Sequence, residues 1–321
     1  MHPIALSIWS TSIAGVRAMV ACWAVWVVCF ILAVTSGCSS VPLTEGGMLS
    51  SYSNLGAPKG KFSKSRVFLD KDKLKDVKKV AIWPTTLTLA AGSRIPNPKD
   101  RLLVSNSIDR AICFAMSEKY QIVPIGGSPD LTVKAVITDI VPTQPTVAGA
   151  ATAISIGSSI ALPVQIPRLP LGLGGLAVEA EALDGAGVQR AAILWSRGAN
   201  SITNKARISK VGDAYDLAAA FGSEFSRMII AGKEPGGLNI RLPSFYEIRT
   251  GLGGKPGSPL CESFGRSPGV IGALGASFGA PPSWTDKGAR ASSFPAQTSP
   301  SVKLAAPVNG ERRQTSSALN P

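Results

Sequence analysis

Three acidic residues stand where hydrolytic chemistry could be built: Asp139, and the pair Glu179 and Glu181 in "LAVEAEALD". Two carboxylates can divide the work of general acid and general base. Two residues apart on a strand they share one face, and alternating Glu on a strand more often marks a solvated side. A carboxylate-based hydrolase is therefore the minor reading. Histidine argues further against enzymatic chemistry, because the chain has one, His2, at its extreme amino end. Without a later imidazole, Ser-His-Asp and Cys-His activation, imidazole metal sites and the usual proton shuttle lack their central residue. The expectation is no catalytic residue, no metal site and no cofactor.

The five cysteines carry a different message. Cys38 sits in "AVTSGCSSVP", after an unbroken apolar run of 17 residues from Ala18 to Val34, with Arg17 before it. A charged end, an apolar middle and small residues at a cut are the three parts of an export signal. Thr35-Ser36-Gly37 ahead of Cys38 resembles the lipobox of bacterial lipoproteins, with Thr35 where Leu usually stands. The resemblance implies cleavage before Cys38, diacylglycerol on its thiol and acylation of the new amine. Residues 1–37 would then be a lipoprotein signal and 38–59 a lipid-anchored linker. Ser39, in place of the Asp that commonly retains such proteins at the inner membrane, implies passage to the outer membrane, facing the periplasm. The alternative is an uncleaved inner-membrane anchor, since the apolar run approaches spanning length.

Without Arg17 the charge is 32 basic against 20 acidic residues, a net of +12. That balance suits anionic neighbours. The densest run is Lys59, Lys61, Lys64, Arg66, Lys71, Lys73, Lys75, Lys78 and Lys79, which reads first as a solvated face and second as a membrane-surface contact. No nucleic-acid recognition motif accompanies it. Cys22 and Cys29 fall within the signal. An oxidising compartment permits a bridge between the remaining Cys113 and Cys261, but the expectation is a buried Cys113 and an exposed Cys261.

The elements that must position these residues follow from periodicity. Val80 to Trp83 is a short strand stopped by Pro84. Ser105 or Asn106 caps a helix with Ile108, Ile112, Ala115 and Met116 on one face, and Gln121 to Pro124 resumes as strand. Leu131, Val133, Ala135 and Ile137 alternate inward. Leu176, Val178, Ala180 and Ala182 do the same in a hairpin that turns at Asp184 to Gly187 and returns through Ile193 and Trp195. A last helix, capped by Asp213, carries the stripe Leu217, Phe221, Phe225, Met228 and Ile229 up to Gly232. These predict an α+β domain over residues 60–245, with a mostly antiparallel sheet and helices packed on one face.

Two stretches escape that plan. Thr146 to Leu162 is small, apolar and chargeless, a surface loop or a membrane-touching hairpin. Residues 246–321, dense in Gly, Pro and Ser, read as a disordered tail.

Several segments together resemble a family of bacterial lipoproteins, domain of unknown function 3313. Gly47 to Leu55, "GMLSSYSNL", is similar to the family's "G-F-L-S-D-Y-S-x-L" opening, with Ser51 at the acidic position. Lys78 to Pro84 looks like its first strand, Leu131 to Asp139 and Val178 to Asp184 like later ones, and Gly212-Asp213-Ala214 like the start of its last helix. The resemblance implies a location and a fold class and brings no catalytic residue. The function it favours is a non-enzymatic envelope lipoprotein, bound to lipid through Cys38 and to an envelope protein partner. An accessory subunit of a transport or secretion complex is the alternative.

Overall fold

The alternating stretch that begins at Leu131 forms the longest strand of a seven-stranded sheet in the computed structural model, which describes residues 41–60, 63–146, 172–200, 204, 207–235, 252–286 and 288. In chain order the elements are β1 (Ser63–Leu69), α1 (Lys71–Leu74), β2 (Lys79–Ile82), β3 (Thr86–Leu87), α2 (Leu89–Arg94), α3 (Pro98–Met116), β4 (Gln121–Ile122), β5 (Leu131–Val141), β6 (Gly175–Asp184), β7 (Gln189–Gly198) and α4 (Gly212–Ala231). A 3-10 turn (Pro259–Phe264), α5 (Gly269–Ser277) and α6 (Pro282–Thr285) follow. The strand order is β1-β7-β6-β5-β2-β4, with β3 also on β5. The long pairings β1·β7, β7·β6 and β6·β5 are antiparallel, and the short β2, β3 and β4 join in parallel. The fold is α+β, as the alternation and the hairpin predict.

Parity explains the main core. Val133, Ala135 and Ile137 of β5, Val178, Ala180 and Ala182 of β6, and Ile193 and Trp195 of β7 occupy one face in register. All are buried, and the Trp195 ring meets Phe221 of α4 at 5.3 Å between centroids. The hairpin turns where Asp184 accepts the amides of Ala186 and Val188, and Gly187 supplies the positive φ. α3 and α4 approach closely at Gly222, where a Cβ would stand 2.7 Å from the Ala111 Cβ and 2.8 Å from the Ile108 carbonyl oxygen.

Several sequence expectations are corrected. β1 was not anticipated; its alternation of Ser65 and Val67 inward with Lys64 and Arg66 outward is masked by the surrounding lysines. α3 begins at Pro98, capped by the Asn97 side chain, eight or nine residues before the expected caps Ser105 and Asn106. Ser105 and Ser107 lie inside it, their hydroxyls donating to the carbonyls of Leu102 and Tyr215, so they need no cap position. Asp213 does not cap α4. It is buried in the first turn and accepts the Gly174 amide at 2.7 Å and the Thr143 hydroxyl at 3.0 Å, tying the helix to the ends of β5 and β6.

The carboxyl-terminal expectation also changes. Cys261 is buried and bonded to Cys113 across 148 residues. Part of the stretch expected to be disordered is therefore a set of short helices clipped to α3. The local sequence there is rich in Gly and Pro, and tertiary bonds rather than propensity hold it. Residues from 289 onward lie outside the described residues, as do 1–40 and all but Thr146 of the chargeless Thr146–Leu162 stretch.

Candidate functional site

Glu179 and Glu181 do share one face of β6, but that face is not solvated. Residues 41–60 cross it as a strap, and both carboxylates are buried beneath it. Glu179 accepts the amide of Gly46, the amide of Met48 at 3.0 Å and the phenol of Tyr52 at 2.6 Å. Glu181 accepts the Ser50 amide at 2.8 Å, the Ser50 hydroxyl at 2.6 Å and the Gln189 amide nitrogen at 3.0 Å. Tyr52 in turn accepts from the amides of Met48 and Leu49. Its burial, with the Glu179 carboxylate close by, pushes the phenol pKa up. The motif "GGMLSSYSNL" is thus a set of donors spaced to meet two acceptors on one strand.

Apolar contact completes the strap. Leu49 and Leu55 pack on Ala192 and Leu194 of β7, flanked by Leu43, Tyr52 and Phe68. Gly46 lies against the sheet where a Cβ would stand 2.6 Å from the Thr138 methyl. The strap ends by pairing with the outer edge of β1, Gly56 donating to the Val67 carbonyl and Lys59 bridging Ser65. It begins at Val41, whose carbonyl accepts the Ser196 hydroxyl and whose methyl touches Gly175. Val41 therefore sits where β6 starts and β7 ends.

The third candidate carboxylate is separate. Asp139 lies at a bulge of β5 and pairs with Arg94 of α2 at 3.1 Å. The structure brings Glu179 and Glu181 together and leaves Asp139 out. Among the described residues no group of three or more His, Cys, Asp or Glu is arranged to hold a metal ion.

The basic run divides between the two ends of the sheet. Lys64 is exposed at the start of β1, Arg66 pairs with Glu45, and Lys59 pairs with Glu234 at 2.6 Å. Lys71 and Lys73 lie on α1, Lys75 caps its end and pairs with Asp72, and Lys78 precedes Lys79, the first residue of β2. β1 separates the two groups, pairing from Ser63 with Arg197 to Leu69 with Ala191, a span of about 20 Å at roughly 3.3 Å per residue. Cys38 and Lys61 lie outside the described residues. Among the described residues no helix is long and apolar enough to cross a membrane.

A second polar centre escaped sequence reasoning. Arg110 of α3, buried, bonds Asp286 at 2.7 Å and the Tyr215 hydroxyl at 2.9 Å, and Tyr215 donates to Asp286 at 2.6 Å. Burial raises the Tyr215 pKa, and the Asp286 charge adds to the effect while Arg110 opposes it. Arg110 and Tyr215 also line a cavity of about 310 Å³ between α3, α4 and α5. Deeper in α3, Asp109 receives the Thr85 amide and hydroxyl, and full burial raises its pKa to about 7. No local pattern marks these contacts, since their partners lie 105 and 176 residues away for Arg110 and 24 for Asp109.

Two solved structures resemble the fold only distantly. One is a PelC dodecamer from Paraburkholderia phytofirmans, at 8% identity and a TM-score of 0.32, covering 54% of this chain and 99% of that one. The other is a single-residue variant of that dodecamer, at 9% identity and a TM-score of 0.30, covering 52% of this chain and 97% of that one. No curated protein matches the sequence. A family model, "Protein of unknown function (DUF3313)", matches residues 44–225, from the strap to the middle of α4. The chain belongs to the DUF3313 family.

Proposed function

We propose that the chain is a non-enzymatic envelope lipoprotein, acylated at Cys38 and held at the outer membrane facing the periplasm, whose domain presents a surface to another envelope protein. The observation that carries this reading is the strap. The chain beyond the lipobox-like residues enters the fold at Val41 and is fixed to β6 through Glu179 and Glu181. Only Ser39 and Ser40 separate Cys38 from Val41, so three residue steps give a reach of at most about 10 Å. An acyl anchor at Cys38 then holds that end of the sheet close to the bilayer, which suits a positioning module.

The same residues argue against hydrolysis. The strap and Gln189 supply the donors to both carboxylates, which leaves no open carboxylate pair. The basic run supports the anchor only in part, since Lys71 to Lys79 sit at the far end of β1 from Val41 and would point away from the membrane. The partner surface is the part of the strap-side face that the strap leaves open, over β5 and β2. Trp83 is partly exposed there beneath the Lys134 ammonium at 5.2 Å, and aromatic and cationic groups are common interface anchors.

The test is in-cell cross-linking, with the acylation state of Cys38 read from the amino-terminal peptide by mass spectrometry. An acylated Cys38 and recurrent envelope neighbours lost on Trp83→Ala support the reading. An intact amino terminus, meaning an uncleaved inner-membrane anchor, or an absence of neighbours refutes it.

A further inference from the structure

The segment from Gly269 to Thr285 has its amphipathicity reversed. In α5 the small residues Gly269, Gly272 and Ala276 are buried, while the large ones face out. Ile271 is 75% exposed, Leu274 57% and Phe278 64%, and Trp284 of α6 is 77% exposed. Positions 271, 274 and 278 fall on one face of a helix. No charged residue occurs between Arg266 and Asp286. Scattered exposed apolar residues need no explanation, but three large ones along one helix face, with a fourth on the next helix, mark a contact surface.

Two bonds bracket this segment. The Cys113–Cys261 disulfide fixes the chain before it, and Asp286, clamped by Arg110 and Tyr215, fixes the chain after it. A Gly-rich stretch that propensity would leave unstructured is thus held rigidly with its apolar side outward. The family match ends at residue 225, before this segment, while its holding partners Cys113, Arg110 and Tyr215 lie within the match.

Its position identifies the occupant. The Gly279 carbonyl accepts the Ile208 amide, and the Lys210 carbonyl accepts the amide of Thr143, two residues past the end of β5. There Val141 pairs with Gly175, the residue that Val41 touches. The carboxyl end of α5 and the point where the chain leaves toward Cys38 therefore lie at the same end of the sheet. Lys210 is exposed beside the segment, with the sign that anionic head groups attract, while the exposed Arg266 pairs with Glu262 at 2.9 Å.

We propose that Ile271, Leu274, Phe278 and Trp284 form a second membrane contact, lying in the head-group layer of the bilayer that holds acylated Cys38. A short apolar face with an interfacial Trp and no charge has the chemistry of a peripheral contact rather than a span. Two points of attachment, one covalent and one by insertion, fix the tilt of the domain as well as its distance. This inference rests on the anchor proposed above.

The experiment places a photo-crosslinking amino acid at Phe278 in the full chain in intact cells, with Val188 as control. Val188 is an exposed apolar residue in the β6–β7 turn, at the opposite end of the sheet. The expected result is a phospholipid adduct from position 278, none from 188, and loss of the adduct from a probe at Ile271 when Trp284→Ser and Phe278→Ser are combined. An intact Cys113–Cys261 peptide in the same digest certifies that the variant is folded. An adduct to a second copy or to another protein in place of lipid overturns the inference, as does no adduct when Cys38 is acylated. An unacylated Cys38 overturns the anchor separately, and a lipid adduct in that case retains the contact without it.

Discussion

Replacing Glu179 by Ala removes the acceptor for three strap donors at once: the amides of Gly46 and Met48 and the phenol of Tyr52. Hydrogen bonds to a charged group contribute about 1.5–3 kcal/mol each. The strap lies at the surface, however, so the freed amides recover much of that from water. The net loss is on the order of 3 kcal/mol, and it falls on the strap rather than on the sheet, because α3 and α4 cover the other face. A local loss of that size raises strap opening about a hundredfold. Amide hydrogen exchange is the direct assay: Gly46, Met48 and Ser50 should lose protection by that factor, while Ile193 and Trp195 at the centre of the sheet keep theirs. Glu179→Gln should not rescue, since its amide nitrogen would face a strap donor. Unchanged exchange at Gly46, Met48 and Ser50 in the Ala variant would refute the claim that Glu179 holds the strap.

Tyr52→Phe should loosen the same strap by about 1–2 kcal/mol, the usual scale for one such bond, again read by exchange at Met48. Since the folded state raises the Tyr52 pKa, its contribution is complete below the ordinary tyrosine pKa near 10 and is lost as pH rises through the folded value; the Phe variant should lack that alkaline step. Asp109, with a folded pKa of about 7 against 3.8 when unfolded, binds its proton more tightly in the folded state. Its contribution is present below pH 4 and declines toward pH 7, by on the order of 4 kcal/mol from a shift of about three units, and urea titrations should show that slope flattened in Asp109→Asn. Cys261→Ser should cost up to about 5 kcal/mol by the loop-entropy relation for a closure of this length. Limited proteolysis should then cut the 252–286 segment well before the sheet. Gly222→Ala should destabilise the domain by about 1–3 kcal/mol through overpacking at the α3–α4 crossing, measurable in thermal denaturation.

What the sequence determines alone is whatever repeats with the period of its element. The alternation from Leu131 to Ile137, the hairpin around Asp184 to Gly187 and the stripe from Leu217 to Ile229 are each legible because burial on one face selects one residue class every second or every third and fourth position. The family membership rides on the same local patterns. Tertiary structure alone decided the rest. Glu179 and Glu181 alternate as a solvated face would, and only the strap, some 130 residues earlier in the chain, turns them into buried acceptors. Cys261 and Asp286 sit in a segment whose composition predicts no order, and a disulfide to Cys113 and a clamp by Arg110 and Tyr215 impose it. The basic run looks continuous along the chain, and a strand of about 20 Å divides it. Periodicity records which side of an element is covered, but a partner distant in the chain leaves no mark on the local pattern.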